Sequence, residues 1–248
     1  EPLTANWMVL GNPANVRQQH GVLRLETATS EDVRLLATAI DDQSDIEILA
    51  RLRPLALPSA NGWLGGLVLG SSPDGSGGFT CQLGQINGTT QLGLLDSGTP
   101  TGTTASVAFS TNRWYWLRVR HQTNALTNYP DLFARLWPAD GETPEPEQWR
   151  VWHDYFPAHP AATGRVGLIS GLVPLEVDWL LVKKENSPEI LARLPAFKPA
   201  YAQLKPVSYS PTGGFQLELR GDAGTGYFLE HTSDFQTWSG PALLIGSN

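Results

Sequence analysis

The stretch Arg113-Trp114-Tyr115-Trp116-Leu117-Arg118-Val119-Arg120 is followed by Leu132-Phe133-Ala134-Arg135-Leu136-Trp137-Pro138, and then by Pro146-Glu147-Gln148-Trp149-Arg150-Val151-Trp152. Five of the nine tryptophans lie between Arg113 and Trp152. From Trp114 to Arg120 the residues alternate. Trp114, Trp116 or Leu117, and Val119 fall on one side, with Tyr115, Arg118 and Arg120 on the other. A period of two is the signal of a strand with one face in a core. Leu132 to Trp137 alternate in the same way and stop at Pro138. Consecutive strands of one antiparallel sheet are expected here.

Outward from this stretch the same reading repeats. Gly21 to Glu26, Val33 to Ala39, Asp45 to Arg53, Phe79 to Leu83, Gln91 to Leu95, Ser106 to Phe109, Gly164 to Ile169 and Leu175 to Val182 read as strands. Turn clusters at Gly11-Asn12-Pro13, Ile86-Asn87-Gly88 and Gly98-Thr99-Pro100 separate several of them. In the Asp45–Arg53 run, Ile46, Ile48, Ala50 and Leu52 share one face. Asp45 and Glu47 share the other, and are expected on a solvated surface paired with Arg51 or Arg53. The glycine-rich Gly62 to Gly70 lacks a Gly-Lys-Ser/Thr ending and any helix after it, so its glycines mark bends, bulges or close sheet contacts rather than a phosphate loop. No segment of the first 185 residues holds a helical period for more than two turns. Roughly a dozen short strands predict an all-β fold, a large jelly-roll sandwich.

Composition sets the outer limits. In 248 residues, 41% hydrophobic and 17% charged content builds a globular chain with a substantial core. A net charge of −7 argues against nucleic acid or an anionic membrane as partner. Cys81 is the single cysteine, so no intrachain disulfide exists. It sits in an alternating run and is expected to be a half-buried strand residue. One cysteine fits secretion from a bacterium, and a chain starting at Glu1 without methionine fits a mature form after signal removal. No apolar run approaches the roughly 20 residues of a membrane helix.

At the central strands the chain resembles the concanavalin A-like lectin/glucanase superfamily, and most of all the bacterial laminin-G-like domain. The resemblance rests on Trp114 to Arg120 as W-x-x-L-R-V-R, Trp137-Pro138 running to Gly141, Glu145-Pro146-Glu147-Gln148-Trp149, Gly164 to Leu168, and Val177 to Val182. It covers residues 1–185, with specific motifs only in the second half. It implies two curved sheets packed face to face, with a concave face that often meets glycans. Glucanases of the superfamily carry E-x-D-x-x-E; here Glu176 and Asp178 match its first two members but Leu181 takes the third place. Retaining chemistry needs two carboxylates about 5 Å apart, which this strand does not supply, so no catalytic residue is assigned. Aromatic faces stack on sugar rings. Trp63, Trp149 and Trp152, near turns, are the candidate ligand-binding residues, whereas Trp114, Trp116, Trp137 and Trp179 are expected in the core. His20, His121, His153, His159 and His231 are dispersed, with no metal-binding spacing. No cofactor is expected; calcium is common in the superfamily, and Asp41, Asp42 and Asp45 form the densest acidic patch without matching a calcium loop.

Asn186 to Pro206 reads as a proline-rich linker with one short helix at Glu189 to Leu194. Residues 207–248 then resemble a small β-sandwich module at the C-terminal ends of secreted bacterial proteins. Phe215, Leu217, Leu219, Gly221, Ala223, Gly224, Tyr227, Leu229, Glu230, Ser233, Asp234 and Trp238 carry the match. Only three or four strands of that module are expected before Asn248, leaving an open edge. Truncation, packing on the large domain, or completion by a strand of a neighbouring subunit, with Glu1 to Leu10 as donor, would each account for it. Three functions follow: a secreted or cell-surface, non-catalytic module binding a glycan or surface polymer; a structural subunit of an extracellular filament or surface layer built by strand complementation; or a glycoside hydrolase with an unrecognised site.

Overall fold

Among the described residues, most runs of alternating apolar and polar side chains are strand. The computed structural model describes residues 6–19, 21–26, 33–38, 40, 44–96, 99–153, 163–184, 202–210, 214–221, 226–229 and 242–245. Its strands are β1 (Trp7–Leu10), β2 (Val16–Gln19), β3 (Val22–Leu25), β4 (Val33–Ala37), β5 (Ile46–Pro54), β6 (Gly62–Ser71), β7 (Phe79–Ile86), β8 (Thr89–Asp96), β9 (Thr99–Ser106), β10 (Tyr115–Thr123), β11 (Pro130–Pro138), β12 (Val151–His153), β13 (Arg165–Ser170) and β14 (Leu175–Lys184). They form two seven-stranded sheets. The first runs β1-β4-β13-β6-β7-β8-β9 and the second β12-β11-β10-β5-β14-β3-β2. Strand pairs in both are antiparallel. The only helical element among the described residues is a 3-10 turn at Pro13–Asn15. The described residues are therefore all-β, two large antiparallel sheets of a sandwich.

The chain divides into two compact units, Glu1–Pro195 and Ala196–Asn248. In the second, β15 (Ala202–Ser210) pairs with β16 (Gly214–Gly221), and β17 (Gly226–Leu229) with β18 (Ala242–Ile245). Residues 202–206, at the end of the proline-rich stretch, are thus strand, with a register irregularity between Pro206 and Ser208. Glu189 to Leu194, and Glu1 to Ala5 of the proposed donor segment, lie outside the described residues.

One hydrophobic core fills the space between the sheets. Ile46, Ile48, Ala50 and Leu52 of β5 enter it as their alternation predicts, and Leu67, Leu69, Phe79, Cys81 and Leu83 meet them from the first sheet. Cys81 is fully buried, not half-buried, and burial pushes its thiol pKa up. On β10 the Leu117 alternative holds, with Val119 beside it and Arg118 and Arg120 opposite, while Tyr115, expected with the arginines, joins the inward face. Tyr115, Leu117 and Val119 point inward, and Trp116, Arg118 and Arg120 take the outer face. Two further readings shift. Residues 99–106 are strand rather than turn, while 107–109 lie beyond it. Among the described residues this stretch pairs only with β8, as the edge of its sheet, so it needs no apolar alternation. The β7–β8 hairpin turns at Asn87 and Gly88, both with positive φ (51° and 75°), which is the two-residue turn matching strand twist.

His121 also points inward. It is 1% exposed, lies 6.0 Å from the Phe79 ring, and its Nε2 has no hydrogen-bond partner. Burial drives its pKa down to about 4 from 6.5, with the Asp45 charge opposing. Because the folded pKa lies below the unfolded one, this residue's full contribution holds above pH 6.5 and is lost as the pH falls toward 4. The loss between pH 7 and pH 5 is about 2 kcal/mol. Urea unfolding at the two pH values should show it, and His121→Phe should remove that part of the pH dependence.

Candidate functional site

Among the described residues, the outer face of the second sheet gathers arginines, carboxylates and tryptophans together. Cross-strand pairing arranges it in rows. Lys183, Glu47, Arg120, Phe133 and Trp152 form one row across β14, β5, β10, β11 and β12. Leu181, Leu49, Arg118 and Arg135 form the next, and Trp179, Arg51, Trp116 and Trp137 a third. A β-bulge between Val177 and Trp179 resets the phase of β14. Val177 and Leu180 both face the core, while Asp178 and Trp179 turn to the outer face.

Of the four tryptophans expected in the core, Trp137 is buried, but in a small cluster apart from the main core, and Trp116 and Trp179 are only partly buried against it. Trp137, Trp116 and Trp179 pack with Leu49 and Leu181 in a separate outer cluster, and Trp116 meets Trp179 edge-on at 5.4 Å. Trp114 lies under the guanidinium groups of Arg51 and Arg53, at 4.8 and 4.6 Å. The reason is the phase of β10: once Tyr115 and Leu117 fill the interior, the neighbouring tryptophans must face outward.

Glu47 is likewise not on a solvated surface. It is 1% exposed and takes Arg118, Arg120 and Lys183 as partners in place of Arg51 or Arg53. Burial alone would raise its carboxyl pKa, but Arg118, a hydrogen bond from Arg120 and the charge of Lys183 hold it below the usual range. Arg118 also reaches Glu145 at 2.7 Å, and Arg135 pairs with the same carboxylate. Burial dominates at Glu145 and raises its pKa in spite of both arginines. Arg135 donates to the carbonyls of Pro146 (2.7 Å) and Glu147 (3.2 Å), so the buried ion cluster ties the 145–150 segment to the sheet. At its far end Arg150 donates to Ser106 O at 3.2 Å.

On that anchored segment Trp149 sits with the Arg120 and Arg135 guanidinium groups 5.0 and 4.4 Å from its ring. Trp149 lies 5.6 Å from Phe133, and Phe133 stacks on Trp152 at 6.3 Å with 10° between the rings. Trp152 is 55% exposed. A cleft of about 570 Å³ adjoins this shelf, lined by Val107, Ala108, Leu136 and residues 146–150. The structure thus brings Trp149 and Trp152 together. Phe133, Arg120 and Arg135 join them; their signal in sequence was placement between inward residues on strands ending beside the Glu145–Trp152 segment.

Trp63 is elsewhere, on the outer face of the first sheet. Its ring lies over Gly84 and Gly93, where an added Cβ would come within 2.5 and 2.2 Å of it. This half-buried ring covers two glycines that would otherwise expose backbone.

Glu176 and Asp178 are both held by arginines: Arg53 Nε donates to Glu176 at 2.7 Å and Arg51 to Asp178 at 2.6 Å. Of the acidic patch, Asp41 and Asp42 lie outside the described residues, as do His20, His159 and His231. Asp45 accepts from the Thr123 amide. His153 Nδ1 lies 2.7 Å from Thr103 Oγ1. Among the described residues no group of three or more histidine, cysteine or acidic side chains could hold a metal, and no helix is long and apolar enough to cross a membrane.

No family model matches the chain, and no curated protein does. Solved structures do resemble it. The carbohydrate-binding module CBM66 of Bacillus subtilis aligns at 13% identity over 72% of this chain and 95% of its own, with a TM-score of 0.50. The potassium-bound carbohydrate recognition domain of Emp46p aligns at 12% over 73% and 89%, with 0.52. The winged bean acidic lectin complexed with methyl-α-D-galactose aligns at 11% over 73% and 93%, also with 0.52. At these identities the likeness is one of fold.

Proposed function

We propose that the chain is a non-catalytic binding protein, extracellular or at the cell surface, that engages a glycan or surface polymer on the outer face of its second sheet. The observation that carries this reading is the exposed Trp152, stacked on Phe133 beside the arginine-flanked Trp149 and next to an open cleft. Large aromatic surface left exposed on a rigid strand supplies the flat contact that sugar rings stack against. The lectin and carbohydrate-binding neighbours support the reading by fold alone. A non-catalytic role fits the arginine partners of Glu47, Glu145, Glu176 and Asp178.

Of the sequence candidates, Trp149 and Trp152 belong to this site and Trp63 does not. Glycan-array binding followed by calorimetry tests it. Trp152→Ala should weaken binding tenfold or more, about 1.4 kcal/mol. Its unfolding free energy should stay within about 1 kcal/mol of the parent, because an exposed ring contributes little to the core. Binding unchanged by Trp152→Ala and Trp149→Ala, or no binding to any glycan, would refute the site.

A further inference from the structure

We infer that the ligand of this face is an anionic polysaccharide, one bearing carboxylate or sulfate groups; this rests on the glycan-binding reading above. The first observation is segregation of charge. The chain carries 17 basic and 24 acidic side chains. Among the described residues, the outer face of the second sheet and its ion-pair partners hold eight of the basic ones: Arg17 and Arg24 on β2 and β3, Arg51 and Arg53 on β5, Arg118 and Arg120 on β10, Arg135 on β11 and Lys183 on β14. They hold six of the acidic ones, Glu26, Glu47, Asp131, Glu145, Glu176 and Asp178. With eight basic against six acidic side chains this face carries a net positive charge in a chain that is acidic as a whole, and its field draws anions.

The second observation is which cations reach solvent. The side chains of Arg17, Arg24, Arg53 and Arg120 are 67, 41, 31 and 27% exposed. All are arginines, whose planar forks match carboxylate and sulfate oxygens two at a time. The third is their interleaving with flat aromatic surface: Arg53 beside Trp114, and Arg120 beside Trp149 and the Phe133–Trp152 stack. Aromatic plates serve sugar rings and guanidinium groups serve their charged substituents. From β3 to β12 the face crosses five strand intervals, about 24 Å, room for an extended oligosaccharide.

Calorimetry on the full chain decides it, using polygalacturonate, the same polymer fully methyl-esterified, a sulfated glucan, a neutral glucan and single-stranded DNA, each at 50 and 300 mM NaCl. The expected result is binding to polygalacturonate or the sulfated glucan at least tenfold tighter than to either uncharged polymer, weakened about tenfold by the added salt. Which anionic polymer binds tells carboxylate from sulfate. R17Q together with R24Q should flatten the salt dependence, and leaves Glu176 its Arg53 partner. Tighter or equal binding of an uncharged polymer overturns the inference and leaves the glycan-binding reading standing. No binding to any of the four polysaccharides overturns the inference, and absence of binding across a full glycan array overturns both. Equal binding of DNA overturns it too, since the face would then recognise charge without sugar.

Discussion

Replacing Glu47 by alanine lowers the stability of the large unit by about 3–5 kcal/mol, the cost of leaving buried charges without their counter-ion. Glu47 is 1% exposed, and Arg118, which donates to it, is 2% exposed. Arg120 at 2.9 Å and Lys183 at 3.4 Å share the same carboxylate. Removing it leaves three cations facing one another in a poorly solvated layer, with Glu145 nearby as the remaining anion. The 145–150 segment should loosen as well, because Arg118 helps hold Glu145. Urea unfolding measures the loss, and Trp149 quenching reports the loosened segment. Glu47→Ala combined with Arg118→Met should recover part of it, since a buried ion pair exchanged for apolar packing is often neutral. A loss below about 1 kcal/mol would mean that the cluster behaves as an exposed surface pair. Acid gives the same result by another route. The Glu47 pKa is held below its ordinary value, so its contribution is complete above pH 4.5 and disappears as the pH falls through the folded value.

Gly66→Ala should be of comparable severity, costing about 3 kcal/mol or more. Gly66 pairs with Gln82 across β6 and β7, in the middle of the first sheet. A Cβ there would sit 2.0 Å from the Cys81 carbonyl oxygen and 3.0 Å from Gln82 Cα. These are backbone atoms of an interior strand, so no side-chain rotation relieves the clash, and the sheet itself must move. Gly167 is in the same position against Leu35 O at 2.1 Å. Gly88→Ala is the control. Nothing lies within 4 Å of its Cβ, so only the strain of its positive φ remains. Thermal unfolding compares the three. A Gly66→Ala protein as stable as Gly88→Ala would show that the two strands do not approach so closely.

Much of the fold was legible because its signal is local. Ile46, Ile48, Ala50 and Leu52 declare an inward face without reference to any other strand, and Asn87-Gly88 declares a hairpin. What is not local was read less well. On β10, tryptophan and leucine are both apolar, so alternation alone assigns either phase. Leu117 and Val119 fix it by entering the core, and that sends Trp116 outward. The same limit hid the proposed site. Phe133 stands 16 and 19 residues from the tryptophans it touches, and Glu47 is 71 residues from Arg118.

By itself, then, the amino-acid sequence determined the class of fold, the strands with clear alternation and the pairing of neighbours across short turns, because backbone periodicity and turn chemistry act over a few residues. It also named Trp63, Trp149 and Trp152 as candidate ligand-binding residues, of which the proposed site uses the last two. Only the tertiary structure decided which way each strand faces, that Glu47 lies buried among Arg118, Arg120 and Lys183, and that the tryptophans of the central stretch line an outer face. Those facts depend on which strands become neighbours in a sheet, and cross-strand register joins residues that sequence distance keeps apart.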